Sequence, residues 1–349
     1  MCGCARSPGP QVPTTSADAE AGLGDPEVGT DWREGLVRSI DALGRWLEGR
    51  LVLRPGEGDE LVPAERFLEP GSLRAAIQRA ASWPTTGPVA RGDLRPAASR
   101  FTRQYAASVT VVAFVGLAHG LALDLSAARC TLVLRNGVPR GLWCDPRWPD
   151  PAAWPDRAPA WKGLAPSIPS LDALRAAVGG RLYAAHLAPF FTRVHEVMRI
   201  PRSLLWANAA EWIAIASDAA AARLSPAVGR RFLEDRAAFL DGRTLPGAAG
   251  PNPMRHRVRW IPSGVPEVPM VQDRRPCCIH YLLPDRLGRL CENCPLLPPP
   301  VRAELTIERR TTPPGAPPGP VERRAIAIGL SKVAPSERPD AAGSPRRGR

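Results

Sequence analysis

Lysine is almost absent from this 349-residue sequence: Lys162 and Lys332 are the only two, so arginine supplies nearly all of its 46 basic residues. The formal net charge of +12 would suggest nucleic acid as a partner. Heavy use of arginine, alanine and proline throughout the chain is, however, typical of a GC-rich genome, and no nucleic-acid-binding motif accompanies the charge. We therefore expect no nucleic-acid partner.

The sequence also lacks segments that would direct it to or through a membrane. No apolar run follows the first residues, so nothing resembles a secretory signal peptide. The longest apolar stretch, residues 106–125, contains His119 and Asp124 and predicts a buried helix rather than a membrane span. We expect a cytoplasmic protein with reduced thiols and at most peripheral membrane contact.

Apolar periodicity predicts a mainly α fold with a small β-hairpin (α+β), in which a helical body precedes a small C-terminal cysteine-rich domain. Helical patterns cover residues 31–50, 97–123, 170–198, 201–223 and 226–241, with a further helix starting at Ser72. Asn136-Gly137 between two apolar runs predicts the hairpin. The expected boundaries are a disordered leader (1–29), the helical body (30–245), the cysteine domain (246–300) and a disordered Pro- and Arg-rich tail (301–349).

Four cysteines lie within eighteen residues of the predicted cysteine domain: Cys277, Cys278, Cys291 and Cys294. Thiolates this close repel one another unless a soft cation holds them, which indicates a metal ion or an iron–sulfur cluster. Disulfides are disfavoured by the expected compartment.

Structural zinc is the main alternative, because four thiolates suit its tetrahedral geometry. An adjacent Cys-Cys pair makes a poor zinc knuckle, since its side chains diverge and no intervening amide turns back toward the sulfurs. A 2Fe–2S cluster is larger and accepts divergent ligands. The spacing therefore favours 2Fe–2S, with zinc and inert thiols left open.

The run Arg275-Pro276-Cys277-Cys278-Ile279-His280-Tyr281, followed by Cys291-Glu292-Asn293-Cys294-Pro295, resembles the C-terminal motif of the FhuF-type ferric siderophore reductases. Residues 120–124 and 204–208 resemble the helical body of that family, and a fainter resemblance extends to the C-terminal part of siderophore synthetases. The family pattern has about ten residues between the cysteine pairs, whereas this chain has twelve. We expect the extra length to loop out within residues 285–290.

This resemblance implies that all four cysteines bind a 2Fe–2S cluster and that the protein reduces Fe(III) held by a siderophore. No glycine-rich nucleotide loop is present, so electrons would come from a separate donor such as a ferredoxin, a flavodoxin or a flavin reductase. Arg274 and Arg275 would stabilise the reduced cluster or attract an anionic chelate, unless they are solvated surface charges. His280 could hydrogen-bond a cluster sulfur, or it could simply pack. An iron–sulfur redox or iron sensor without turnover, and a zinc-binding interaction module, remain alternatives.

Overall fold

The computed structural model describes residues 31–82, 93–145, 148–154, 156, 167–286, 288–313 and 316–333. The predicted disordered leader, residues 1–29, lies outside the described residues, as does the end of the tail beyond residue 333.

Helices dominate the described chain, which confirms the mainly α prediction. Nine α-helices span, within the described residues, Trp32–Ala42 (α1), Pro70–Ser82 (α2), Arg95–Ala118 (α3), Leu171–Gly179 (α4), Ala188–Met198 (α5), Arg202–Arg223 (α6), Pro226–Leu240 (α7), Pro299–Thr311 (α8) and Pro320–Leu330 (α9). A π-helical segment, Gly180–Leu187, joins α4 to α5, so the helical pattern predicted over residues 170–198 changes helix type at Gly180.

The helix α3 forms the centre of the fold. Every residue from Ala106 to Ala118 is buried, and α3 packs against α6, α7 and the neighbouring sheet. Because it is covered on all sides, its apolar stretch needs no polar face. Of the helices in the described part of the chain, none combines the length and apolar character needed to cross a membrane.

The strands form one sheet of four and two ribbons of two. They span Leu51–Val52 (β1), Asp59–Pro63 (β2), Leu121–Ala122 (β3), Thr131–Arg135 (β4), Val138–Trp143 (β5), Ala152–Ala153 (β6), Val258–Pro262 (β7) and Met270–Arg274 (β8). The four-stranded sheet has the order β1-β5-β4-β2, with β1 parallel to β5 and the other pairs antiparallel. The predicted hairpin is β4–β5, and its turn residues Asn136 and Gly137 have φ values of 53° and 75°.

The ribbon β7–β8 carries the chain from the helical body to the cysteines. Its register pairs Val258 with Arg274, the last residue of β8. Gln272 on β8 donates a 2.8 Å hydrogen bond to Asp218 on α6, and the guanidinium of Arg236 on α7 lies 4.1 Å from the Trp260 ring. These contacts fix the ribbon on α6 and α7 and so fix where the cysteine motif begins.

Two predicted boundaries are wrong. The first helix ends at Ala42 rather than near Arg50, because the chain then turns through Gly44 and Gly49, both at positive φ. The tail predicted to be disordered from residue 301 contains α8 and α9. The proline content of this tail led to the prediction of disorder. Pro299 and Pro320, however, lie at helix N-termini, where proline is well tolerated.

A buried Tyr–His pair joins α3 to the π-helical segment. The Nδ1–H of His186 donates to the Leu125 carbonyl at 2.6 Å, so its Nε2 accepts from the Tyr105 hydroxyl at 2.5 Å. Both side chains are fully buried. Burial lowers the pKa of His186 to about 4, despite the hydrogen bond to Leu125.

We predict that this histidine makes the fold sensitive to mild acid. The folded state keeps His186 neutral, whereas the unfolded chain takes up a proton below pH about 6.5. The free energy of unfolding should therefore fall by about 3 kcal/mol from this group as the pH drops from 6.5 toward 4. Urea unfolding of the wild type and of His186→Gln at several pH values measures the effect. Equal pH slopes for the two proteins would contradict it.

Candidate metal centre

The four cysteines meet as two pairs of thiols. Cys277 Sγ lies 3.9 Å from Cys294 Sγ, and Cys278 Sγ lies 3.6 Å from Cys291 Sγ. Two sulfurs bound to one tetrahedral ion, with bonds of about 2.3 Å, are about 3.8 Å apart. Each pair therefore has the separation of two ligands on one ion, with one thiol from each end of the motif.

The adjacent cysteines contact different partners, Cys294 for Cys277 and Cys291 for Cys278, but their thiols also interact with each other, so their side chains do not diverge as predicted. The argument that no amide turns back toward the sulfurs is wrong. Ile279, at φ 56°, directs its N–H to Cys277 Sγ at 3.5 Å, and the Leu296 amide hydrogen-bonds the Cys294 sulfur. Such bonds stabilise thiolates, whether they bind zinc or a cluster.

The pKa values of these four thiols are shifted in opposite directions. Hydrogen bonds with Cys278 and Cys294 raise the pKa of Cys277, and the bond with Cys278 raises that of Cys291. The pKa of Cys278 is lowered by its bonds with Cys277 and Cys291, and that of Cys294 by its bond with Cys277. Each pair thus contains one thiol with a raised pKa and one with a lowered pKa, and a metal would displace the protons that remain.

Burial of the thiols is high. Cys278 is 5% exposed and Cys294 is 3% exposed, while Cys277 and Cys291 are partly buried. Within the described part of the chain, no group of three or more His, Cys, Asp or Glu side chains is arranged to hold a metal ion. The four thiols form one connected group, and such a donor set would suit either a single tetrahedral ion or a cluster with more than one metal ion.

His280 and α3 hold the first half of the motif. Ser99 Oγ on α3 donates a 2.7 Å hydrogen bond to the Cys278 carbonyl and lies 3.4 Å from His280 Nε2. The His280 side chain, 5% exposed, also hydrogen-bonds the Cys278 thiol. The structure therefore places His280 beside a candidate ligand, within the protein and not on its surface.

The two arginines that precede the cysteines occupy different environments. Arg274 is 1% exposed, and its Nη1 donates to Glu211 Oε2 at 2.6 Å. The interpretation of Arg274 as a solvated surface charge is therefore wrong. Arg275 is exposed, with its Nε 3.0 Å from Asp273 Oδ2.

Three arginines occupy every second position before the cysteine motif, but they do not lie on one face of a single strand: Arg255, Arg257 and Arg259. Arg259 lies on β7 and donates to Asp273 at 3.0 Å. Arg255 and Arg257 precede the strand and donate instead to the backbone carbonyls of Asp241 and Pro253.

Sequence reasoning missed a buried polar network centred on Glu211 of α6. Glu211 is 1% exposed and accepts hydrogen bonds from Arg103, Arg274 and Asn293 at 2.6–3.0 Å. Burial alone would raise the pKa of Glu211, but Arg103 and Arg274 outweigh burial and lower it to about 2. The sequence does contain a signal for this network: Asn208 and Glu211, spaced i and i+3, are the polar residues of an otherwise apolar stretch of α6, residues 204–216.

A second carboxylate beside the motif, that of Asp273, also has more than one arginine partner. Asp273 accepts hydrogen bonds from Arg302 at 2.9 Å and from Arg259 and Arg275 at 3.0 Å. Burial would raise its pKa, but these three guanidinium groups lower it. The surroundings of the thiols are therefore electropositive and suited to an anionic group.

The helices α8 and α9 cover the cysteine loop. Leu290, Cys294 and Leu297 share a small apolar cluster with Leu305 of α8 and Ala325 of α9. Within the stretch expected to loop out, Gly288 and Leu290 are buried, whereas Asp285, Arg286 and Arg289 are exposed. The backbone of Gly288 touches α9 at Gly329, where an added Cβ would lie 1.9 Å from the Gly288 oxygen.

Comparison with known proteins places part of the chain in a family. The model for the family described as "Ferric iron reductase FhuF-like transporter" matches residues 99–261. Residues 99–261, 163 of the 349, are thus similar to the FhuF-like family, which confirms the resemblance over this part of the chain. The matched region contains Ser99, Arg103, Asn208 and Glu211 and ends before the cysteine motif.

Two solved structures show a distant likeness. Aerobactin synthetase IucC from a hypervirulent pathotype of Klebsiella pneumoniae is 15% identical with a TM-score of 0.43, over 57% of this chain and 36% of that one. ATP-bound aerobactin synthetase IucA from the same source is 15% identical with a TM-score of 0.39, over 53% and 34%. The chain thus spans about a third of the length of either structure. No curated protein sequence matches it.

We predict that the contact between Gly288 and Gly329 keeps the cysteine loop covered. Gly329→Ala should force α9 away from the loop, at a cost of roughly 1–3 kcal/mol, and should speed alkylation of Cys277 and Cys291 in metal-free protein. Peptide mapping by mass spectrometry locates the labelled thiols. The control is Gly71→Ala on α2, which meets open space. Unchanged labelling in a destabilised Gly329→Ala variant would show that α9 does not cover the site.

Proposed function

We propose that this protein binds a 2Fe–2S cluster through Cys277, Cys278, Cys291 and Cys294, and reduces siderophore-bound Fe(III) to Fe(II). The observation that carries the proposal is the pairing of the thiols, with a cysteine from each end of the motif in each pair. The match of residues 99–261 to the FhuF-like family supports the substrate class.

The pairing assigns the ligands to two iron ions. Cys277 and Cys294 would hold one iron, and Cys278 and Cys291 would hold the other. The vicinal pair would thus contribute one ligand to each ion. This role suits adjacent cysteines better than binding a single ion between them.

Reduction would release the iron because hard siderophore oxygens bind Fe(III) far more tightly than Fe(II). When bound, the cluster would store one electron taken from a donor and supply it to the ferric ion. The exposed Arg275, two residues before Cys277, would attract an anionic chelate. The two buried carboxylates beside the motif are already covered by arginines, so they would not repel it.

The donor is proposed to be a separate protein such as a ferredoxin, a flavodoxin or a flavin reductase. The proposed location is the cytoplasm, since all six cysteines in the described residues are free thiols.

Anaerobic purification followed by assays of iron, sulfide and zinc, with paramagnetic resonance of the reduced protein, tests the cluster. We expect equal iron and sulfide, visible absorption and a reduced-state signal. The reduced protein should then release Fe(II) from a ferric siderophore to a ferrous chelator. Colourless protein with one zinc per chain would contradict the proposal, and a cluster that never releases Fe(II) would favour a redox or iron sensor.

Serine substitutions test the ligand pairing. In Mössbauer spectra of ⁵⁷Fe-loaded protein, Cys277→Ser and Cys294→Ser should perturb one iron, and Cys278→Ser and Cys291→Ser the other. Cys144→Ala, at a buried thiol in the main core, should perturb neither. Perturbations grouped by sequence neighbourhood, Cys277 with Cys278, would show that the pairing is wrong.

One observation favours zinc as the second candidate. The amides of Ile279 and Leu296 donate to cysteine sulfurs, as amides in zinc knuckles do. In that case the cysteine region would be a structural zinc site in an interaction module.

A further inference from the structure

We infer that Arg103, Glu211 and Arg274 act as one charge unit that sets how readily the four-cysteine site accepts an electron. The inference rests on the proposed cluster and adds a role for residues outside the cysteine motif. They are tuning residues, since none is proposed to bind iron or siderophore.

The unit is rigid because each carboxylate oxygen of Glu211 accepts two hydrogen bonds. Its Oε2 accepts from Arg103 Nε at 2.8 Å and from Arg274 Nη1 at 2.6 Å. Its Oε1 accepts from Arg103 Nη2 at 3.0 Å and from Asn293 Nδ2 at 2.7 Å. The carboxylate oxygens therefore have no freedom to rotate, and the positions of the charges are fixed.

The unit is joined directly to both halves of the cysteine motif. Asn293 lies between Cys291 and Cys294, and its carbonyl accepts from the Arg274 amide at 3.4 Å. Arg274 Nη2 donates to Asn208 Oδ1, and Asn208 Nδ2 donates to the Ser99 carbonyl at 3.3 Å. Ser99 in turn holds the Cys278 carbonyl. The charges and the sulfurs are thus parts of one network.

The unit carries excess positive charge. Two guanidinium groups share one carboxylate, and Nε of Arg274 is buried without a hydrogen-bond partner among the described residues. Arg50, 8% exposed, adds a third cation beside Trp212, whose ring lies 4.8 Å from the guanidinium carbon of Arg103. Uncompensated buried charge is costly, so this arrangement suits an adjacent anion. A group held by four thiolates is anionic.

The sign of the effect follows from Coulomb's law. Reduction adds negative charge to the site, so a nearby cation stabilises the reduced form and a nearby anion destabilises it. The field of Arg103 is felt at the motif: after burial and Glu211, the Cys291 and Cys278 sulfurs are the groups that most affect its pKa. Arg103→Gln should make the site harder to reduce, and Glu211→Gln should make it easier.

Redox titration of the anaerobically purified full-length protein, followed by absorbance and paramagnetic resonance, tests the inference. We expect each variant to change the reduction equilibrium about tenfold, or about 59 mV for a one-electron couple, in opposite directions. Arg103→Lys, which keeps the charge, should stay near the wild type. Arg175→Gln is the matched control, because the Arg175–Asp235 pair is equally buried but joins α4 to α7.

The outcomes separate the inference from the proposed function. Wild-type protein without iron and sulfide would overturn both. A loaded wild type whose Arg103→Gln and Glu211→Gln variants shift in the same direction, or not at all, would overturn the inference alone. If Glu211→Gln fails to fold or load, the comparison of Arg103→Gln with Arg103→Lys decides: equal potentials overturn the inference, and a lower potential in the glutamine variant alone supports it.

Discussion

The ion pairs of Glu211 with Arg103 and Arg274 are the interaction on which the site depends. They lie where three parts of the fold meet: α3, α6 and the end of the β7–β8 ribbon. A carboxylate in the middle of a buried helix is costly unless it is paired. Here Arg103 donates two hydrogen bonds to Glu211, and Arg274 and Asn293 donate one each, so each oxygen accepts two. Removing the carboxylate would leave two buried cations facing one another. The fold and the site are therefore coupled through the same charges.

This coupling explains why a short cysteine motif needs a large helical body. The motif, residues 274–295, is too short to form a core of its own. Ser99 and Glu211, both within the family-matched region, hold its two halves by the Cys278 carbonyl and the Asn293 side chain. The helices α8 and α9 then complete the enclosure from the opposite end of the sequence. Thiols held in this way lie 3.9 Å and 3.6 Å apart in their two pairs, a separation that would suit two ligands of one metal ion.

Much of the fold could be predicted from local signals. The apolar run of α3, the Asn136-Gly137 turn and the Ser225 cap of α7 each depend on neighbouring residues in the chain. The cysteine motif could also be recognised from the sequence, because four thiols at this spacing indicate a metal ion or a cluster. The partners of Arg274 could not be predicted, since Glu211 lies 63 residues away and only packing brings them together. The tail helices were missed for another reason: their apolar residues, such as Leu305 and Ala325, form a face only when the cysteine loop lies against it.

The central claim is that the four cysteines hold two iron ions, one for each thiol pair. Anomalous diffraction at the iron and zinc absorption edges, from crystals grown without oxygen, tests it most directly. We expect two iron peaks, one beside Cys277 and Cys294 and the other beside Cys278 and Cys291. A single zinc peak equidistant from all four sulfurs would contradict it.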